Sequence, residues 1–440
     1  MCPLAVALVS GVILVAGCTG GSPRPATTTA RAAAATPGQV SGCVPDCATP
    51  RMVQVAYGIA PLLARGIDGS GETVTVLATA PPPHATRPPG TPVANPTGSP
   101  PVVADDLRQD MAAFDRQFAL PAPRIAIVTS LAGAAAPWQA TAQESTDVEV
   151  VHAIAPAASI RVVLTPAEAG DGSAAEIAGL LAGLRLAVSG TDVILIDPNV
   201  GEHFFTKAQA AQLNSILLGA QARHVTVVAG SGDNGGFSGI PGGGTAFKEV
   251  SLPAADPLVL SVGGTELTVS PAGGYLSETV WNGQGGFSES YGASGGGFSR
   301  LYARPSYQDG VRGIAAMRGV PDVAGDADQQ GGIATVSAFG GQTAVNGTQG
   351  TASAAALWAG LIALADQYAH HDLGFVNPAI YRIARSASYH LAFHDITTGS
   401  SKQTMPYPGG TAGYPAGPGW DPATGWGSPD AQVLIPLLAT

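Results

Sequence analysis

The chain has 440 residues, 45% of them hydrophobic and only 12% charged, which is ample apolar material for a packed core in one large domain or two smaller ones. Lys and Arg number 20 against 31 Asp and Glu, a formal charge of −11 that argues against a nucleic-acid surface and against acidic polymers as partners.

Residues 1–17 read as an export signal. The apolar run from Leu4 to Ala16 is too short for a comfortable membrane span and ends in small residues. The segment VAGC, Val15 to Cys18, resembles the lipobox of bacterial lipoproteins, which implies cleavage before Cys18 and a lipid on that cysteine. An ordinary secretory signal with an incidental cysteine is the alternative. No Lys or Arg precedes the apolar run, so the signal is atypical or the true start lies upstream.

Residues 18–50 read as a lipidated cysteine and a disordered tether, because Thr19 to Gly42 is rich in Pro, Thr, Ala and Gly and cannot bury enough surface to fold. Cys43 and Cys47 form a close pair with no nearby His cluster, so a small disulfide is favoured over zinc in an exported chain, with two free thiols as the alternative.

From residue 51 to 440 the pattern is that of one domain. Short β-branched runs begin at Thr73, Arg124, Ser159, Asp192 and Val225, and they alternate with helical stretches from Glu144, Ala174, Lys207 and Ala354. A second Pro-rich stretch, Ala80 to Pro101, reads as a long surface loop. The expected fold is α/β, a doubly wound, mostly parallel sheet with helices on both faces. Such folds place their chemistry at the carboxyl ends of strands, here just after Asp197, after Gly230 and before the helix at Ala354. The stretch NGTQGTASAAALWAGLIAL, Asn346 to Leu364, is a Gly- and Thr-rich turn running into a buried helix, where a hydrolase presents a serine.

Seven segments in sequence order carry a resemblance: VAYGIAPLLARGIDGSGETVTVL from Val55, DVEVVHAIAPAASI from Asp147, VVAGSGDNG from Val227, SGGGFS from Ser294, RGVPDVAGDAD from Arg318, GTASAAALWAG from Gly350 and GPGWDPATGWGSP from Gly417. Together they resemble the sedolisins, the serine-carboxyl peptidases, across nearly all of the chain after the tether. The resemblance implies a subtilisin-like fold and peptide-bond cleavage at acidic pH by a Ser nucleophile, a Glu base, a supporting Asp and an oxyanion Asp, with a structural calcium. It also implies a large N-terminal propeptide, which is not expected here because the domain follows the tether directly.

Carried over position by position, the family's Glu and Asp lie four apart on a helix, so that both carboxylates share a face. Asp147 matches the Asp, but Gln143 stands where the Glu belongs, and Gln cannot take a proton from a serine. Glu144, three before Asp147, is a weak substitute, rotated by about 100°; a solvated carboxylate facing the helix dipole is the plainer reading of it. Asp233 matches the oxyanion Asp, and a protonated Asp there donates to a developing oxyanion, although an Asx turn closing the strand also accounts for it. The nucleophile position, six residues before Trp358, is Ala352, and the family's Pro is Ala356. Ser353 stands one place later with its hydroxyl swung away by about 100°, and a small buried Ser in an Ala-rich helix usually bonds back to a carbonyl. After the strand from Asp192, the family's Ser-aromatic-Gly edge is replaced by Asp197, Pro198 and Asn199, and Pro has no N–H with which to pair a peptide. His152, His224 and His394 sit in no recognisable triad context, and His152 reads as a packing or capping residue.

The family's calcium ligands match throughout: Asp395, the carbonyl of Ile396, the carbonyls of Gly417 and Gly419, and Asp421. Five protein oxygens plus water meet the coordination that calcium requires; a glycine-rich turn without metal is the alternative.

The expectation is an exported, lipid-anchored sedolisin homologue that has lost catalysis. The rivals are an active acidic endopeptidase using Ser353 with Glu144 and Asp147, and a module that binds peptides or cell-wall material in a relic cleft. A peptide or protein ligand, calcium and, through the lipid, the membrane are the expected partners. The chain is expected to act as a monomer, either anchored to the membrane outside the cytoplasm or secreted.

Overall fold

The structure is a computed structural model, and it describes residues 47–80, 107–129, 142–166, 172–238, 247–283, 292–328, 331–339, 342–404 and 410–440. The export signal, Cys18, Cys43 and the tether to residue 46, like the loop after Ala80, lie outside the described residues.

The folded chain starts earlier than the expected boundary at residue 51. Cys47 and Ala48 are buried, Cys47 is disulfide-bonded, and Ala48 bridges Ile333. Thr49 then caps helix α1 (Pro50–Ala56) by accepting from the Met52 N–H, with proline in the first helical turn where its missing N–H costs nothing. The short helix α2 (Ala60–Leu63) follows.

The helices α3 (Leu107–Phe118), α4 (Ala142–Ile154), α5 (Ala174–Ala187), α6 (Lys207–Gln221) and α7 (Thr351–Ala369) flank a sheet. Its strands are β1 (Thr73–Ala80), β2 (Arg124–Thr129), β3 (Ser159–Pro166), β4 (Val193–Ile196), β6 (Thr226–Gly230), β8 (Leu260–Val269) and β12 (Val323–Asp326), and their order is β12-β8-β6-β4-β1-β3-β2, all parallel. Strand β9 (Tyr275–Val280) pairs antiparallel with β8. Short pairs complete the fold: β5 (Val200–Gly201) with β7 (Ser251–Leu252), β10 (Gly297–Ala303) with β11 (Met317–Val320), and β13 (Ala334–Phe339) with β14 (Gln342–Gly347).

The sheet is covered on both sides, and the strand sequences show why. Successive side chains point to opposite faces. Val74 and Val76 of β1, Val193 and Leu195 of β4, and Val228 of β6 join α4 and α7 in one core, whereas Leu77, Ile194, Ile196, Val227 and Ala229 join α5 and α6 in the other. This is the near-continuous apolar run expected of a parallel sheet buried on two faces, and it establishes the α/β, doubly wound architecture.

Two differences from the sequence reading matter for the site. Helix α7 begins at Thr351 rather than Ala354, so position 352 lies inside its first turn. Strands β8 and β12 were not among the expected strands; the Gly263–Gly264 pair interrupts the apolar run of β8, and β12 is only four residues long. From Thr351 to Asp366 every residue of α7 is buried, as expected of a helix apolar all round. Trp358 Nε1 donates to the Ala324 carbonyl at 2.8 Å and Trp420 Nε1 to the Pro321 carbonyl at 3.0 Å, so three of the seven motif segments interlock through the β12 region. Among the described residues no helix is long and apolar enough to cross a membrane.

Candidate active site and metal-binding loops

Strand β6 ends at Gly230, and the turn that follows carries Asp233 to the start of α7. Asp233 Oδ1 accepts from both the backbone N–H and the hydroxyl of Thr351, each at 2.8 Å, and the same hydroxyl accepts from Gly232 N–H at 3.0 Å. Gly350 precedes the helix at φ +100°, and a Cβ there would stand 2.7 Å from Asp233 Oδ2. Only glycine combines that backbone with that approach. Asp233 is exposed at the surface, yet the protein around its carboxyl pushes its pKa up, against the lowering by the Thr351 bonds; the water that reaches it tempers the rise. With Oδ1 taking two bonds from Thr351, a proton on this carboxyl goes to Oδ2, the side where Gly350 leaves room.

Ala352, 9% exposed, is the second residue of α7. Ser353 is fully buried, and its hydroxyl donates to the Gln349 carbonyl at 3.4 Å, the back-bonding typical of a helical serine. On this wall the side chain next to the Asp233–Thr351 clamp is a methyl group.

Asp147 is fully buried on α4. The two helices cross closely where Gly360 meets Ile154, a Cβ at Gly360 standing 2.7 Å from Ile154 Cβ. They run in the same direction, because the loop at Asp68 and Gly69 bonds both the segment just after α4, through Ala157 N–H to the Asp68 carbonyl, and the end of α7, through Gly69 N–H to Gln367 Oε1. Two turns back from the crossing lie Asp147 on α4 and Ser353, next to Ala352, on α7. Gln143 and Glu144 lie in the first turn of α4; their side chains fall outside the described residues.

Pro198 is buried between β4 and β5, and Asn199 Nδ2 donates back to the Asp197 carbonyl at 3.4 Å. The histidines stand elsewhere. His152 is buried with Nε2 2.8 Å from the Pro121 carbonyl and 3.2 Å from Asp115. His224 precedes β6, at the end of the strand opposite to Asp233, and His394 stacks on Tyr275 with ring centroids 3.8 Å apart.

The C-terminal loops bring Asp395, Ile396, Gly417, Gly419 and Asp421 together. Gly419 N–H donates to Asp395 Oδ1 at 3.1 Å, and Gly417 N–H to Asp421 Oδ2 at 3.2 Å. Ala423 and Thr424 N–H both donate to Asp421 Oδ1, at 2.8 and 2.9 Å. Burial nevertheless pushes the Asp421 carboxyl up to about 6, and among the described residues neither Asp395 nor Asp421 has an ion-pair partner. A Cβ at Gly417 would meet nothing within 4 Å, and Gly419 sits at φ +77°. An all-oxygen donor set with two unneutralised carboxylates fits a hard cation. A second acidic group escaped the sequence reading: Glu72, Asp192 and Asp372, whose ligand atoms lie within 4.8 Å of one another. No local spacing marks it, because its members are spread over 300 residues.

No family model matches the chain. Kumamolisin of Bacillus sp. (strain MN-32) is 37% identical over 304 residues, covering 66% of this chain and 50% of kumamolisin. Sedolisin of Pseudomonas sp. (strain 101) is 35% identical over 223 residues, covering 50% of this chain and 36% of sedolisin. The chain thus spans half or less of the length of these curated relatives. Among solved structures, Pseudomonas sedolisin, a serine-carboxyl proteinase complexed with two molecules of pseudo-iodotyrostatin, superposes with a TM-score of 0.69 at 25% identity, covering 89% of this chain and 98% of that one. The parallel sheet, the turn that binds Asp233 to the start of α7 and these similarities agree on one assignment, and the chain belongs to the sedolisin family of peptidases.

Proposed function

We propose that this protein is an exported, lipid-anchored sedolisin homologue that keeps the oxyanion aspartate and the calcium loops but has lost peptide-bond hydrolysis. The observation that carries the reading is at the start of α7. Asp233 is clamped there by Thr351, the adjoining position 352 is alanine, and the neighbouring Ser353 is buried with its hydroxyl committed to Gln349. Gln143 in place of a carboxylate removes the base as well. What remains is Asp147 and an Asp233 that holds a proton more readily than an ordinary carboxyl, a site able to donate to a carbonyl without attacking it.

A peptidyl aldehyde tests this directly, since it forms a hemiacetal only with an activated serine. Intact-mass analysis is expected to show no adduct at any pH between 3 and 7. An adduct that disappears in Ser353→Ala would instead support the active-peptidase reading with Glu144 and Asp147.

The lipid anchor rests on VAGC at Cys18, which lies outside the described residues. The protein is expected to partition with membranes, and Cys18→Ser to release it or leave its signal uncut. Native protein wholly in the culture medium would contradict the anchor.

Calcium would be held by Asp395, Asp421 and the carbonyls of Ile396, Gly417 and Gly419. When bound, it supplies the positive charge that the two aspartates lack. The residues of the chain do the rest: the N–H groups of Gly417, Gly419, Ala423 and Thr424 hold both carboxylates in place, tying the turn at 395 to the loop at 417–424.

A further inference from the structure

We propose that Glu72, Asp192 and Asp372 form a second calcium site, with the buried Asp366 beside it, at the amino ends of β1 and β4, on the far end of the sheet from Asp233. Parallel pairing creates it. Val74 of β1 stands opposite Val193 of β4, so the residues just before the two strands, Glu72 and Asp192, arrive side by side. Asp192 Oδ2 accepts from Thr73 N–H at 2.7 Å, which fixes the carboxylate. Gln367 of α7 pins the incoming loop by accepting from the N–H groups of Asp68 and Gly69 at 2.7 and 2.8 Å and donating to the Gly66 carbonyl at 2.9 Å. Asp372 follows the left-handed His370 that ends α7.

Three carboxylates within 4.8 Å of one another match the span of oxygens on one ion, since ligands about 2.3–2.6 Å from calcium are at most about 5 Å apart. The independent sign is Asp366, the neighbour of Gln367. Its side chain is fully buried, Oδ1 accepts from Leu373 N–H at 2.8 Å, and Oδ2 is buried with no hydrogen-bond partner. A buried carboxylate oxygen without a partner is costly, and native structures rarely leave one. Burial pushes the Asp366 carboxyl up to about 8, the bond from Leu373 N–H works against the rise, and the charges of Glu72, Asp372 and Asp192 add to it. Asp366 also lies in the last turn of α7, where the helix dipole disfavours a negative charge and favours a cation. Among the described residues none of the four is ion-paired to Lys or Arg. A hard divalent cation answers all of these at once, and it braces β1, β4 and the carboxyl end of α7.

The test is calcium stoichiometry by equilibrium dialysis with radioactive calcium, on chelator-treated full-length protein in detergent. The wild type is expected to bind two equivalents, Asp372→Asn one, Asp421→Asn one, and the double variant none. One equivalent in the wild type, lost in Asp421→Asn and kept in Asp372→Asn, would overturn the second site and leave the C-terminal loops standing. One equivalent lost only in Asp372→Asn would support the second site and remove the calcium from the loops. Asp366→Asn gives a second readout that does not depend on Asp372. In chelator it should raise the melting temperature, by removing a crowded buried charge, and in calcium it should lower it. A rise in both conditions would mean that the four acids merely share protons, and would overturn the proposal.

Discussion

Replacing Ala352 by Ser together with Gln143 by Glu is expected to give a weak, acid-optimal peptidase that cleaves an added peptide or itself. In serine proteases generally, loss of the nucleophile costs on the order of a millionfold in turnover, and the residue of activity comes from the oxyanion hole and binding. Ala352→Ser alone should therefore gain little, because Gln143 offers no base, and Gln143→Glu alone should gain nothing, because a methyl group cannot attack. The double change places a nucleophile beside the Asp233–Thr351 clamp and a carboxylate four residues before Asp147, on the same helical face. Activity should fall as pH rises, because Asp233 donates only while protonated. Its raised pKa extends that range upward from the ordinary carboxylate value, and Asp233→Asn, which keeps a donor at every pH, should flatten this limb. Pro198, which has no N–H with which to pair a peptide, is expected to limit the gain. A pH profile of peptide cleavage across the wild type and the four variants checks each step.

Chelation should lower the melting temperature steeply. A cation that binds only the folded state stabilises it by about 4.1 kcal/mol when its free concentration is a thousandfold above the dissociation constant. Asp421→Asn should remove the part of the shift that belongs to the C-terminal loops, and Asp372→Asn the part that belongs to the carboxylates around Asp366. The two losses should add, because the sites share no residue. A melting curve unmoved by chelator, in protein loaded with calcium beforehand, would contradict both sites.

Much of this architecture was legible before any coordinates. The strand starts at Thr73, Arg124 and Ser159 and the helix starts at Ala174 and Lys207 coincide with the elements found, because each is announced locally. Ser173 caps α5 by accepting from Glu176 N–H, and Thr206 with Gln209 forms the capping box of α6. The start of α7 was not legible to the residue. It is set by the left-handed Gly350 and by the bonds from Thr351 to Asp233, which stands more than a hundred residues earlier. The sequence did point to the position of Ala352 and to the fate of Ser353, whose hydroxyl bonds back to the Gln349 carbonyl as a small serine in an Ala-rich helix does. Asp366 carries no local signal of its own near the end of a buried helix. The group beside it is not local either, because Glu72 and Asp192 are brought together only by the pairing of β1 with β4.

The most direct measurement is hydrolysis of a denatured protein substrate by the wild type and by Ser353→Ala, followed from pH 3 to 7. Lost catalysis requires that neither protein cleave above the buffer background at any pH in that range. Acid-dependent cleavage by the wild type that Ser353→Ala abolishes would contradict the account and make the shifted serine the nucleophile.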